Sequence, residues 1–153
     1  MSNATFYKIN SVDLPNRTIT LTESDSIIPA NTPCMLKATT NGSILFNSPT
    51  GYTLQTNYNL KNKVSSDVTM MGIYKYTKFT KEMLANEPYK SGCVYAVAGA
   101  DEGDIVAGTF VPLGTDAYRY PFRSIFVKTH IAVILQGKKL VLKNNKLITK
   151  TIP

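Results

Sequence analysis

The fold is indicated most clearly by residues 139–150, which read Lys139-Leu140-Val141-Leu142-Lys143-Asn144-Asn145-Lys146-Leu147-Ile148-Thr149-Lys150. Apolar and polar residues alternate on both sides of the two asparagines, as in strands with one buried face. Asparagine tolerates the positive φ angles of a tight two-residue turn, so the stretch predicts an antiparallel hairpin. We expect Leu140, Leu142, Leu147 and Thr149 to face inward, and Lys139, Lys143, Lys146 and Lys150 to face outward.

The same period-two pattern, rich in β-branched residues, extends along the rest of the chain, with turn residues about every ten positions. It predicts an all-β fold, an antiparallel β-sandwich or barrel-like assembly of about 10–12 short strands with at most one short helix. Thr80 as an N-cap and Pro88 as a stop place that helix at Lys81–Ala85. Besides the hairpin, candidate strands are 5–10, 17–22, 33–38, 43–46, 52–55, 68–76, 93–97, 105–111, 119–127 and 131–135.

The length of 153 residues fits one domain. Residues 1–4, Met-Ser-Asn-Ala, are typical of a cloning remnant, so any export signal is expected upstream of them. We expect residues 5–153 to form a single all-β domain. A finer alternative is two pseudo-repeated lobes, 5–60 and 67–128, followed by the basic hairpin 138–150. No apolar run is long enough to span a membrane.

The net charge of +7 is concentrated at one end of the chain. From residue 117 onward there are eight basic and no acidic residues, whereas the preceding residues carry nine basic and ten acidic ones. Two interpretations stay open for the hairpin lysines: they bind a polyanion, or they protect strand edges from pairing with other chains. Because no aromatic residue alternates with these lysines to stack on bases, we expect no nucleic-acid partner.

The composition argues against most enzyme chemistry. A single histidine (His130), two cysteines and no tryptophan cannot supply a multi-histidine or four-thiolate metal site. No Gly-x-Ser-x-Gly element accompanies the histidine. We therefore predict no enzyme activity, no catalytic residues, no cofactor and no metal ligands. A carboxylate-based hydrolase is the less favoured alternative, because ten acids are present without a pattern that pairs two of them.

Two smaller features leave alternatives open. Cys34 and Cys93 each begin an apolar segment and predict either a disulfide or, preferably, two buried thiols. The segment Asp101-Glu102-Gly103-Asp104 predicts a solvated turn rather than a calcium loop, because it lacks the full ligand series of an EF-hand.

Aromatic residues give the candidate binding site. Tyrosines crowd the second half of the chain among Asn, Asp and Lys. A tyrosine ring offers apolar contact and its hydroxyl fixes orientation, which suits glycan or peptide sites, although alternating tyrosines are also common in cross-strand packing. Tyr118 and Tyr120 are expected to share a face, with Arg119 on the other. The candidate ligand-binding residues are Tyr74, Tyr76, Tyr118 and Tyr120.

Residues 28–37, Ile28-Pro29-Ala30-Asn31-Thr32-Pro33-Cys34-Met35-Leu36-Lys37, form a rigid lead-in to a strand, because both prolines fix φ. The segment resembles a motif of β-rich accessory or C-terminal domains in secreted and surface proteins of the Bacteroides and Prevotella group, often leucine-rich-repeat proteins. Three later segments resemble further elements of those domains in the same order: Asn59-Leu60-Lys61, Gly72-Ile73-Tyr74-Lys75 and Pro121-Phe122-Arg123-Ser124-Ile125-Phe126.

The resemblance implies an exported accessory or adhesion-type domain and brings no catalytic residues with it. We therefore expect a non-enzymatic extracellular or cell-surface β domain that interacts with a host or cell-surface protein or glycan. Polyanion binding through Lys139, Lys143, Lys146 and Lys150 is the alternative.

Overall fold

The structure of the protein is a computed structural model. It describes residues 3–13, 15–16, 18–23, 33–42, 44, 61–63, 67–73, 75–90, 92–121, 123–129, 133–144 and 146–152. Within these ranges the chain forms twelve strands and one short helix. In chain order they are β1 (Ala4–Asp13), β2 (Thr18–Glu23), β3 (Met35–Ala38), β4 (Lys61–Lys63), β5 (Val68–Ile73), β6 (Thr77–Lys78), α1 (Lys81–Ala85), β7 (Val94–Val97), β8 (Phe110–Pro112), β9 (Tyr118–Arg119), β10 (Arg123–Lys128), β11 (Lys138–Lys143) and β12 (Lys146–Thr151).

The strands form two five-stranded sheets and one two-stranded ribbon. The first sheet has the order β11-β12-β2-β1-β3, the second β4-β5-β10-β7-β8, and the ribbon pairs β6 with β9. Every pairing between these strands is antiparallel. A β-bridge between Thr109 and Lys139 and a 2.9 Å hydrogen bond from Leu140 N to Gly108 O join the two sheets beside β8 and β11. The antiparallel sheets include a half-barrel.

The main core lies between the two sheets, because alternate residues of each strand point to the same side. Ile19 and Leu21 of β2 pack there with Met70 of β5 and Phe126 of β10. Phe126 meets Phe110 edge-on, with ring centroids 5.2 Å apart. The core therefore contains residues from both predicted lobes, and the division into lobes stays a prediction.

A second core covers the other face of the second sheet. Ile125 of β10 and Val94 of β7 pack against Phe79 and against Leu84 of α1. The second sheet is thus buried on both faces, and its β5 reads as the nearly continuous apolar run Val-Thr-Met-Met-Gly-Ile. The fold has three layers: the first sheet, the second sheet, and a thin outer layer of α1 and the ribbon.

The structure confirms the all-β fold, the short helix and the terminal hairpin. Helix α1 begins after Thr80, whose Oγ1 accepts a hydrogen bond from Met83 N at 3.2 Å. In the hairpin, Leu140 pairs with Thr149 and Leu142 with Leu147, as the alternation predicts. Leu142 is nevertheless 48% exposed, because it lies next to the turn at the end of the outermost strand, whereas Leu140, two residues earlier on the same strand, is 8% exposed.

Several predicted strand boundaries are wrong. The predicted strand 68–76 ends at Ile73, and 119–127 divides into β9 and β10, because the chain leaves the second sheet to form the ribbon. In the predicted strand 105–111, only residues 110 and 111 belong to a strand: Ile105 forms a bridge back to Glu102, and Ala107 and Gly108 form a turn. Strand β4 was not predicted. The predicted strand 52–55 lies outside the described residues, as does 43–46 except for Ile44.

No helix in the described part of the chain is long and apolar enough to cross a bilayer.

Candidate functional site

An exposed group of aromatic side chains lies on the two-stranded ribbon. We call β6 and β9, together with the adjoining Tyr76 and Tyr120, the tyrosine ribbon. Thr77 pairs with Arg119 and Lys78 with Tyr118. Since side chains alternate along a strand, Tyr76, Lys78, Tyr118 and Tyr120 share the outer face of the tyrosine ribbon. Three of the four candidate tyrosines are therefore brought together.

Phe79 anchors the tyrosine ribbon to the body of the protein. Its side chain is fully buried in the second core, and its ring meets that of Tyr89 edge-on at 5.7 Å. Phe79 N donates to Ala117 O, and Asp116 N donates to Phe79 O, both at 2.9 Å. These bonds continue the pairing of β6 and β9 by one residue. With Phe79 pointing inward, the alternating Lys78 and Tyr76 must point outward.

The three tyrosine rings are in contact and open to solvent. The ring centroid of Tyr76 is 5.4 Å from that of Tyr118, with 26° between the ring planes. It is also 5.4 Å from that of Tyr120, at 58°. Tyr76, Tyr118 and Tyr120 are 54%, 45% and 65% exposed. The rings therefore pack across the strands and still present an uncovered aromatic surface.

A lysine and a carboxylate border these rings. Lys78 Nζ lies 2.6 Å from Asp116 Oδ1 and 5.6 Å from the centroid of the Tyr118 ring. The hydrogen bond to Asp116 is the main reason that the pKa of Lys78 is raised. Partial desolvation, and then the neighbouring Tyr118 and Tyr120, raise the pKa of Tyr76. The hydroxyl of Tyr76 therefore stays protonated at neutral pH and can both donate and accept hydrogen bonds.

The surroundings of the rings are basic. Arg119 lies half-buried under the tyrosine ribbon, and burial, followed by the charge of Arg123, lowers its pKa. Its Nε is buried without a hydrogen-bond partner. Lys75 is exposed just before β6. Because Asp116 is already paired with Lys78, the local charge favours a neutral or anionic ligand over a cation.

The four hairpin lysines lie together on a different part of the molecule. Lys139 pairs with Lys150 and Lys143 with Lys146, so all four share the outer face of the first sheet. Lys143, Lys146 and Lys150 are exposed, and Lys139 is half-buried.

The remaining candidates bring no further side chains to the tyrosine ribbon. Tyr74 and His130 lie outside the described residues. In the loop after β7, Asp101 Oδ1 accepts a hydrogen bond from Ala107 N at 2.7 Å, as expected of a structural turn. The described part of the chain contains no group of three or more His, Cys, Asp or Glu side chains placed to hold a metal ion. Cys34 and Cys93 are free thiols, in agreement with the preferred alternative to a disulfide, but both are half-buried rather than buried.

Sequence reasoning missed the partners of the tyrosines. Lys78 lies two residues after Tyr76, so period-two spacing could have placed these two side chains on one face. What spacing could not supply is the pairing of β6 with β9, which are joined across about forty residues.

Comparison of the chain with protein-family models, with curated proteins and with solved structures finds no match.

Proposed function

We propose that the protein is a non-enzymatic, exported or surface-located β domain whose tyrosine ribbon binds a glycan. The observation that carries the proposal is the contact of three exposed tyrosine rings on one face. Burying apolar surface against a ligand is favourable, and large uncovered aromatic side chains commonly mark binding surfaces. The C–H faces of a sugar ring are apolar and flat enough to lie on a tyrosine ring.

The size of the tyrosine ribbon favours a small ligand over a protein. Its two strands have two residues each, and its outer face is formed by Tyr76, Lys78, Tyr118 and Tyr120. A stable protein interface buries about 800 Å² on each partner, from roughly 20 to 30 residues. A few sugar units need only a few aromatic rings with polar groups at their edges.

The polar groups beside the rings supply orientation. Each ring carries a hydroxyl, and the Lys78–Asp116 pair adds a donor and an acceptor at the border. Sugar hydroxyls both donate and accept, so they match such a mixed border.

The non-enzymatic and export parts of the proposal rest on the sequence. One histidine and the lack of a nucleophile motif support binding rather than catalysis. The resemblance of residues 28–37 and 121–126 to accessory domains of Bacteroides-type surface proteins supports export.

A glycan array followed by calorimetric titration of the best neutral oligosaccharide tests the proposal. We expect Tyr118→Ala to weaken binding about tenfold or more, equivalent to ~1.4 kcal/mol, because it removes one of the stacked rings. Tyr118→Phe keeps the ring, so it should lose less. Leu142→Ala is the matched control, since Leu142 is also about half exposed but lies on the hairpin.

The variants are compared only if their melting temperatures match that of the parent protein. An array without hits at high protein concentration would contradict glycan binding. Equal loss of affinity in Tyr118→Ala and Leu142→Ala would exclude the tyrosine ribbon as the site. Selective capture of a protein that Tyr118→Ala abolishes would replace the glycan with a protein partner.

A further inference from the structure

The outer face of the first sheet carries more lysines than the hairpin alone contributes. Lys146 pairs with Thr22 on β2, and Thr22 pairs with Lys8 on β1. One row across four strands therefore reads Lys143, Lys146, Thr22 and Lys8. Lys8 is exposed and lies at the opposite end of the sequence from the hairpin. We call Lys8, Lys139, Lys143, Lys146 and Lys150 the lysine face.

Protection of a sheet edge does not explain the lysine face. An edge-protecting lysine belongs on the outermost strand, but Lys146 and Lys150 lie on β12, which has β11 on one side and β2 on the other. Lys8 lies on β1, which is also flanked on both sides. Even β11 is bridged to the second sheet where Lys139 meets Thr109. Three of the five lysines are thus on interior strands.

The arrangement also brings like charges together. Lys139 is directly opposite Lys150, and Lys143 is directly opposite Lys146. Like charges in directly opposed positions destabilise a sheet. Among the described residues, Asp116 pairs with Lys78, and none of the five lysines of this face lies in an ion pair. An anion lying between the paired lysines would relieve this repulsion.

We propose that the lysine face binds an anionic polysaccharide, one with sulfate or carboxylate groups, which lies across the strands along the row from Lys143 to Lys8. The row spans three strand spacings, roughly 14 Å, and the two lysine pairs of the hairpin are about 13 Å apart along the strands. Charges repeated over such a distance suit a linear polymer rather than a single small anion. Thr20 and Thr22 add hydroxyl groups beside the lysines.

A nucleic acid fits this face less well. The exposed aromatic residues of the described chain are Tyr76, Tyr118 and Tyr120, all on the tyrosine ribbon at the far side of the second sheet. Without a ring to stack on bases, the lysine face offers only charge and hydroxyl groups. This site is separate from the tyrosine ribbon, so the two proposals can fail independently.

Binding to heparin, measured by calorimetry over a range of NaCl concentrations, tests the proposal with the whole protein. If five contacts each release ~0.7 counterion, the affinity should fall roughly 100-fold between about 50 and 200 mM NaCl. For Lys143→Ser/Lys146→Ser the same change in salt should lower the affinity for heparin only roughly 20-fold, because three contacts remain. Lys81→Ser/Lys90→Ser is the matched control, since it removes the same charge from exposed positions off the face.

The variant Lys8→Ser distinguishes heparin binding by the folded lysine face from binding by the basic C-terminal segment alone. The lysine face predicts that Lys8→Ser weakens heparin binding and that Lys90→Ser does not. Equal effects of these two variants would overturn the proposal, because binding would then depend only on net charge. Binding of single-stranded DNA or of anionic lipid vesicles as tight as that of heparin would overturn the assignment to a polysaccharide. We expect Tyr118→Ala to bind heparin as tightly as the parent protein does.

Discussion

Gly108 shows how a single residue holds the two sheets together. Its φ is +85°, a conformation that side chains other than glycine rarely adopt. A Cβ at this position would lie 2.9 Å from the backbone oxygen of Leu140. The same residue accepts a hydrogen bond from Leu140 N at 2.9 Å and donates one to Ala98 O at 2.8 Å. Close approach of the two backbones at β8 and β11 therefore requires glycine.

Gly108→Ala is predicted to destabilise the fold by about 2 to 4 kcal/mol, since strain from the positive φ adds to a clash with backbone that cannot move freely. Urea unfolding measures the change. Gly103→Ala is the control: its φ is +57°, but nothing lies within 4 Å of an added Cβ, so it should lose only about 1 kcal/mol. Equal losses in the two variants would mean that the contact with Leu140 is unimportant.

The thiol of Cys34 is expected to make both the stability of the fold and its own reactivity depend on pH. Burial raises the pKa of its thiol, because the thiolate is poorly solvated there. The folded state has its full stability below the ordinary thiol pKa of about 8.5. As the pH rises through the higher pKa of the folded-state thiol, the stability that comes from the difference between the two pKa values is lost. We expect Cys34 of the folded protein to alkylate more slowly at pH 8 than in urea-unfolded protein. Mass spectrometry of the modified peptide measures this, and equal rates would contradict the raised pKa.

At the scale of the strands, a buried side chain completes the pairing of β2 with β12. Backbone pairing is registered at Lys146 with Thr22, Leu147 with Leu21, and Ile148 with Thr20. One residue further on, Thr149 Oγ1 accepts a hydrogen bond from Ile19 N at 2.8 Å. Thr149 is 2% exposed, so water cannot replace this bond.

Thr149→Val is therefore predicted to lower the free energy of unfolding by about 1 to 3 kcal/mol, because it leaves the buried Ile19 N–H without an acceptor. Thr149→Ser keeps the hydroxyl and should retain the hydrogen bond, losing only the packing of one methyl group. Urea unfolding and amide hydrogen exchange at Ile19 report the difference. A Thr149→Val protein as stable as Thr149→Ser would show that the bond contributes nothing.

Local sequence patterns were sufficient to predict an element when the residues within or next to that element determine its conformation. The hairpin follows from alternation around Asn144-Asn145, and α1 follows from Thr80 and the later Pro88. Local patterns failed for 105–111, where Ile105 and Val106 have strand-forming side chains but lie outside the strands and are 38% and 42% exposed. The turn is fixed by contact of Gly108 with distant Leu140, which no local pattern contains.

The candidate sites show the same division. The shared face of Tyr118 and Tyr120 follows from their spacing, whereas the contact of both with Tyr76 depends on the pairing of β6 with β9. Likewise, the hairpin lysines follow from alternation, but the addition of Lys8 depends on β2 pairing with both β12 and β1. In each case long-range strand order supplied what the sequence left open.

At the scale of the whole molecule, the three layers put the two proposed sites on different surfaces. The lysine face is the outer side of the first sheet, and the tyrosine ribbon covers the far side of the second. The main core, with Leu21 and Phe126 fully buried, lies between them. Ligands at the two sites should therefore bind without competing, and substitutions at one site should leave affinity at the other unchanged.

Mapping of NMR chemical shifts during titration with a neutral oligosaccharide from the array tests the central claim most directly. We predict that the shifts concentrate on Tyr76, Lys78, Tyr118 and Tyr120, that the lysine face is unaffected, and that Tyr118→Ala raises the ligand concentration at the titration midpoint about tenfold or more. Shifts centred on Lys8, Lys143 and Lys146, or no shifts in the tyrosine ribbon at saturating ligand, would contradict the claim that this aromatic surface is a glycan-binding site.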